Sequence, residues 1–199
     1  MVTAVPAPPT AAPLLAPTPL ADTDACLARG AFSPLLAGLR YGVNAFLLHT
    51  DGQRVATLSR GAGFGWLRQQ IHWRDIEIAP GAYRWNALDV AVAQARGAGL
   101  RLLLSIVRAP SWATANGGDG LPTRPELFAG FTHALAARYR GQVAAYEIWN
   151  EPNLAVENGG TVAVPAQYLA ALRAAYPAIK AADPCALVVA APLANLRHV

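Results

Sequence analysis

From Tyr41 onward the chain alternates short apolar runs with longer segments of helical period. That alternation predicts βα units around a parallel sheet. Five strands are expected, at 41–48, 64–71, 100–107, 143–149 and 186–191. The third and fifth are continuous apolar runs, the mark of strands buried on both faces. Four helical segments lie between them. The one near 53–59 is the least regular. The segment 86–97 keeps Leu88, Val92 and Ala95 in phase before Gly97 and Gly99 end it. The third starts at T-R-P-E, where Thr123 is the expected N-cap, with Pro125 early and Glu126 three residues on. Phe128, Phe131 and Leu135 then form its apolar face. The fourth runs from Pro165 through Tyr168, Leu172, Ala175 and Ile179, and stops before Asp183-Pro184.

The strand starts recur roughly every 36 residues, the unit size of a βα barrel, and eight such units would take about 290. The expectation is therefore an α/β fold, a (β/α)8 TIM barrel that stops after its fifth strand, occupying residues 23–199. An open doubly wound sheet is the competing topology. Its usual marker, a Gly-rich phosphate turn after the first strand, is missing, because that strand runs into Leu47-Leu48-His49-Thr50-Asp51. Gly61-Ala62-Gly63-Phe64-Gly65 precedes a strand, whereas a phosphate cradle must precede a helix, so no nucleotide role follows. Residues 1–22 are almost entirely Ala, Pro, Thr, Val and Leu and read as a leader or linker. They lack the charged start of a secretory signal, although tethers of this kind commonly follow one; an extracellular or cell-surface location is the expectation.

Composition narrows the function classes. Of 199 residues, 54% are hydrophobic and 14% charged, which excludes a disordered chain. No apolar run approaches the roughly 18 residues of a membrane span. The net charge is +4, but every cation except Lys180 is an Arg and they are scattered, so neither a nucleic-acid patch nor a membrane partner is expected. Cys26 and Cys185 have no metal spacing; two unrelated thiols is the simpler reading and one bridge the alternative. His49 and His72 lie at strand ends outside any metal-spaced set, so hydrogen bonding is expected of them. No metal and no cofactor is expected.

The candidate chemistry sits in Tyr146–Asn153, Y-E-I-W-N-E-P-N, where an apolar strand ends in an amide, a carboxylate and a helix-incompatible Pro152. This stretch resembles the fourth-strand signature of the clan of retaining glycoside hydrolases built on the (β/α)8 barrel. W-L-R-Q-Q-I-H-W-R-D-I-E-I-A-P-G-A-Y-R-W-N-A-L-D resembles the clan's second strand and the loop and helix after it. G-L-R-L-L-L-S-I-V-R-A-P-S-W-A resembles its third strand. Three motifs in register over about 150 residues imply hydrolysis of O-glycosidic bonds, with carbohydrate as partner.

The resemblance implies that Glu151 is the general acid/base and that Asn150 donates to a sugar 2-hydroxyl. Arg68 matches an Arg that holds the nucleophile, and pairing with Glu147 is the alternative, since a buried strand charge needs a partner. Trp112 and Trp73 offer faces for stacking against a sugar, Trp112 the better placed; Trp149 and Trp85 are read as core. Asp75 and Glu77 fall in a segment that the resemblance treats as structural, with Ile78 where relatives often have Pro. A retaining pair of carboxylates stands about 5–5.5 Å apart. Glu147 lies four residues from Glu151 on one strand, about 13 Å away, and cannot be that partner. The clan's nucleophile belongs to a seventh strand, so this chain is expected to hold an acid/base without its nucleophile. The alternative is a carbohydrate-binding remnant without turnover, and a third reading, an α/β domain unrelated to sugars, requires Arg68, Asn150 and Glu151 not to converge. Unpaired sheet edges also make self-association an expectation.

Overall fold

The computed structural model describes Cys26, residues 40–115 and residues 117–195; the leader expected at 1–22 lies outside these. Its main sheet holds five parallel strands: β1 (Gly42–Asn44), β2 (Trp66–His72), β5 (Arg101–Val107), β6 (Ala145–Ile148) and β7 (Leu187–Ala190). A two-stranded hairpin of β3 (Glu77–Ala79) and β4 (Ala82–Tyr83) stands apart from it. The helices are α1 (Gly52–Gly61), the single turn α2 (Trp73–Ile76), α3 (Asn86–Gly97), α4 (Pro125–Arg138) and α5 (Pro165–Ala182).

The strand order in the sheet is the order in sequence, β1-β2-β5-β6-β7, with no reversal. A doubly wound sheet reverses at its switch point. Strands added always on the same side, with helices after each, build the wall of a barrel. The fold is thus the α/β partial barrel that the repeat predicts.

Alternation along β2 shows the two faces. Leu67, Gln69 and Ile71 are buried, while Trp66, Arg68, Gln70 and His72 are half-exposed. The buried side joins Leu102, Leu104, Ile106, Tyr146 and Ile148 in the core beneath the helices. The other side lines a concavity of about 430 Å³ between Asn44, Trp66, Arg68, Leu103, Ala145 and Leu187.

Three expectations need correction. The fifth strand is not buried on both faces: Leu187, Val188 and Val189 are half-buried and Ala190 is exposed, because among the described residues no strand lies beyond β7. Thr123 does not cap α4; the cap position is Arg124, without a side-chain cap bond, and the Thr123 hydroxyl donates instead to the Ala113 carbonyl at 3.3 Å. Pro125 as first helical residue needs no N–H partner there, so the helix starts without the cap. Cys26 and Cys185 are not separate thiols but a disulfide across 159 positions, a pairing that no local spacing announces. The hairpin β3–β4 and α2 fall in what the sequence leaves as a loop; Glu77 organises them, accepting from the Trp73 indole at 2.6 Å and the Gly81 amide at 2.8 Å.

Candidate active site

The open faces of β2, β5 and β6 converge on one guanidinium. Arg68, on the open face of β2, lies beside Ser105 of β5 and Glu147 of β6. Its Nε donates to both Glu147 oxygens at 3.1 and 3.3 Å, and its Nη2 also pairs with Glu147. Nη2 further donates to Ser105 Oγ at 3.0 Å and to Asn150 Oδ1 at 2.9 Å; Nη1 reaches Asn44 Oδ1 at 3.3 Å. Glu147 is buried, so the charge-assisted fork supplies the partners that a desolvated carboxylate requires. Of the two partners weighed for Arg68, the structure shows Glu147.

Arg68 and Asn150 therefore meet, which counts against the reading that requires them to stay apart, and Glu151 follows Asn150 in the chain. The backbone here is strained. Trp149 (φ 72°) and Glu151 (φ 40°) both occupy the left-handed region, at a cost of about 1–3 kcal/mol each. Every residue of N-E-P-N is tied down against that strain. Glu151 N donates to Pro192 O at 3.0 Å, and Pro152 O accepts from Ala163 N at 2.9 Å. Asn153 exchanges two hydrogen bonds with the Ala194 backbone, both 2.9 Å. The motif is thereby clamped to the segment that leaves β7. The Glu151 carboxylate is half-buried and has no hydrogen-bond partner among the described residues.

The aromatic candidates separate. Trp73 has no exposed surface: it stacks on Phe131 at 5.3 Å between ring centroids, meets Phe128 at 5.4 Å and gives its indole N–H to Glu77. It is a core residue and not a sugar platform. Its position at the start of α2 turns it under the sheet, which strand periodicity does not reveal. Trp149 is likewise wholly buried. Trp112 is half-buried, edge-on to Trp73 at 5.6 Å.

Asn44 and Ser105 were not singled out from the sequence. The available signal was a polar residue at an inward position of an otherwise apolar strand, as in L-L-L-S-I-V. His72 Nδ1 lies 3.1 Å from Asp75 Oδ2; burial nevertheless pushes the imidazole below its ordinary pKa, outweighing Asp75. Among the described residues no cluster of His, Cys, Asp and Glu could hold a metal ion, and no helix is long and apolar enough to cross a membrane.

Asp119 ties the loop after β5 to α2. It pairs with Arg74 and, at 2.8 Å, with Arg108. Burial pushes its carboxyl up, but the hydrogen bonds from Arg108 and Arg74 prevail and hold it below the usual range. A depressed native pKa stabilises above the unfolded value of about 3.9 and is lost as pH falls through the native value. Asp119→Asn is therefore expected to lower Tm near pH 7, with the difference from the parent closing below about pH 4. Thermal melts between pH 2 and 7 check this; a constant offset would sink it.

No family model matches this chain, and no curated protein matches it. Solved structures do. A family 39 glycoside hydrolase from the gut symbiont Bacteroides cellulosilyticus WH2 aligns over 75% of this chain and 30% of its own, with TM-score 0.59 and 26% identity. An exo-β-1,4-mannosidase from Opitutaceae bacterium strain TAV5 aligns over 81% of this chain and 33% of its own, with TM-score 0.62 and 20% identity. Endo-glycoceramidase II from Rhodococcus sp. aligns over 77% and 48%, with TM-score 0.54 and 23% identity. The chain thus spans about a third of the first two proteins, and its fold is the one found in glycosidase barrels.

Proposed function

We propose that this chain forms the part of a retaining glycoside hydrolase barrel that carries the general acid/base, Glu151. The observation that carries the reading is the join of Arg68 to Asn150 at the carboxyl end of the sheet, the end where barrel enzymes keep their catalytic groups, with Glu151 next in chain. The likeness to glycosidase barrels supports it. In this reading the Glu151 carboxyl protonates the departing glycosidic oxygen while a second carboxylate attacks the anomeric carbon. Glu151, now a carboxylate, then takes a proton from the water that releases the sugar. Asn150 donates to the sugar 2-hydroxyl, and Trp112 offers the edge of a stacking surface.

Glu147 is committed to Arg68, so the nucleophile has to come from a βα unit beyond the five described. That same commitment favours the second reading, a carbohydrate-binding unit without turnover. Residues 23–199 are the unit to which either role is assigned. Location outside the cytosol belongs to the proposal, supported by the disulfide, since such bonds persist in oxidising compartments.

The test is hydrolysis of a panel of aryl β-glycosides by the chain and by a version extended with any coding sequence that continues it. Product anomers are followed by proton NMR. Turnover with retained configuration by the extended version, and none by the chain alone, is the expected result. Binding without turnover in both moves the assignment to the second reading, and inverted product would refute the retaining mechanism.

A further inference from the structure

We propose that Glu147 is a positioning residue that acts through Arg68 to fix which end of the Asn150 amide faces the sugar; this rests on the glycosidase reading above. An arginine side chain has five N–H donors and no acceptor. The atom of Asn150 that meets Arg68 Nη2 at 2.9 Å must therefore be the amide oxygen, whatever way the amide is drawn. Once the oxygen is held, Nδ2 is left as the presenting group, and it has no partner among the described residues. Asn150 can then offer only N–H donors to a ligand, which selects a hydroxyl acting as acceptor.

Nη2 can perform that task only if the guanidinium is held still. Asn44 holds one edge of it, through Nη1. Glu147 holds the opposite edge, taking Nε and sharing Nη2 with Ser105 and Asn150. Glu147 is also the only charged partner of Arg68 among the described residues. Arg68 borders the open concavity, so without that anion its head has room to swing toward solvent and release the amide.

Three elements thus feed one contact: β6 supplies the anion, β2 carries the cation across, and the strained turn after β6 presents the amide. A charge at position 147 is otherwise a poor choice for an inward position on a strand flanked by Tyr146 and Ile148, both buried.

The experiment uses Glu147→Gln in the active form of the protein, with paired aryl β-glycosides that differ only in the presence of the 2-hydroxyl. If the effect passes through Asn150, kcat/KM should fall about 10- to 100-fold on the 2-hydroxy substrate and less than about 3-fold on its 2-deoxy counterpart. Equal losses on both substrates, or no loss, overturn the proposal. Side-chain NMR of the labelled protein supplies a readout independent of turnover. Glu147→Gln should speed exchange of the Arg68 Nε–H and shift the Asn150 amide pair; if both stay unchanged, the proposal falls.

An Arg68→Gln/Glu147→Gln double variant covers loss of folding in the single one. It removes both charges, so stability should return while the selective loss on the 2-hydroxy substrate persists. Recovery of that activity along with stability would make the role structural and refute the proposal. If the parent hydrolyses neither substrate, the hydrolase reading fails by itself and the NMR result alone decides the Glu147 chain.

Discussion

Replacing Glu151 by Gln in a form that turns over should cut kcat/KM, which reports the steps through departure of the leaving group, by about 10²- to 10⁴-fold on substrates with poor leaving groups, the usual worth of a positioned acid or base. Gln has nearly the same shape and cannot give up or take the proton. The backbone that places it is held by Glu151 N on Pro192 and Glu151 O on Leu154 N at 2.8 Å, neither of which involves the side chain. The variant should therefore melt with the parent. The loss should shrink for leaving groups that depart without protonation, such as dinitrophenolate, because the acid is then not needed in the first step. The check is a series of aryl β-glycosides ordered by leaving-group acidity, run with both proteins. A loss independent of the leaving group would remove Glu151 from the acid role.

Reducing the disulfide should be the largest single cost to stability. Cross-linking positions 159 apart removes much of the freedom of the unfolded chain, worth about 5 kcal/mol in the chain-entropy description. For a protein of this size that corresponds to roughly 10–20 °C in Tm. Cys185 lies in the turn between α5 and β7, at the amino end of the strand, whereas Glu151 follows the carboxyl end of β6. The turn has its own fastening, as Asp183 accepts from Gly141 N at 2.8 Å and Cys185 N at 3.2 Å. Reduction should thus lower Tm and leave turnover at moderate temperature intact. Melts with and without a thiol reductant, and of a Cys26→Ser/Cys185→Ser variant, measure it. A shift under about 2 °C would contradict the chain-entropy argument.

Legibility of the fold followed the range of the forces involved. The strands β2, β5 and β6 and the helices α3, α4 and α5 fall where hydrophobic period predicts them, because burial of one face is a local demand written every two or about 3.6 residues. The irregular segment near 53–59 also forms a helix, Gly52–Gly61, capped by the Asp51 carboxylate on Arg54 N at 3.1 Å. Failures came where a distant partner decides. Thr123 has cap chemistry, yet the Ala113 carbonyl competes for its hydroxyl. β7 has the sequence of a central strand, yet its burial depends on a neighbour that none of the described residues supplies.

At the site the division is the same. The sequence by itself determined the parallel α/β repeat, the position of Asn150 and Glu151 at a strand end, and the pairing choices open to Arg68. These depend on residue type and on neighbours within a few positions. Tertiary structure alone decided that Arg68 takes Glu147, that Asn44 and Ser105 complete its shell, that Trp73 is buried among Phe128 and Phe131, and that Cys26 meets Cys185. Each of those outcomes joins residues from different βα units. Which inward side chains share a level is set by the register between strands, and register follows from packing of the whole sheet against its helices.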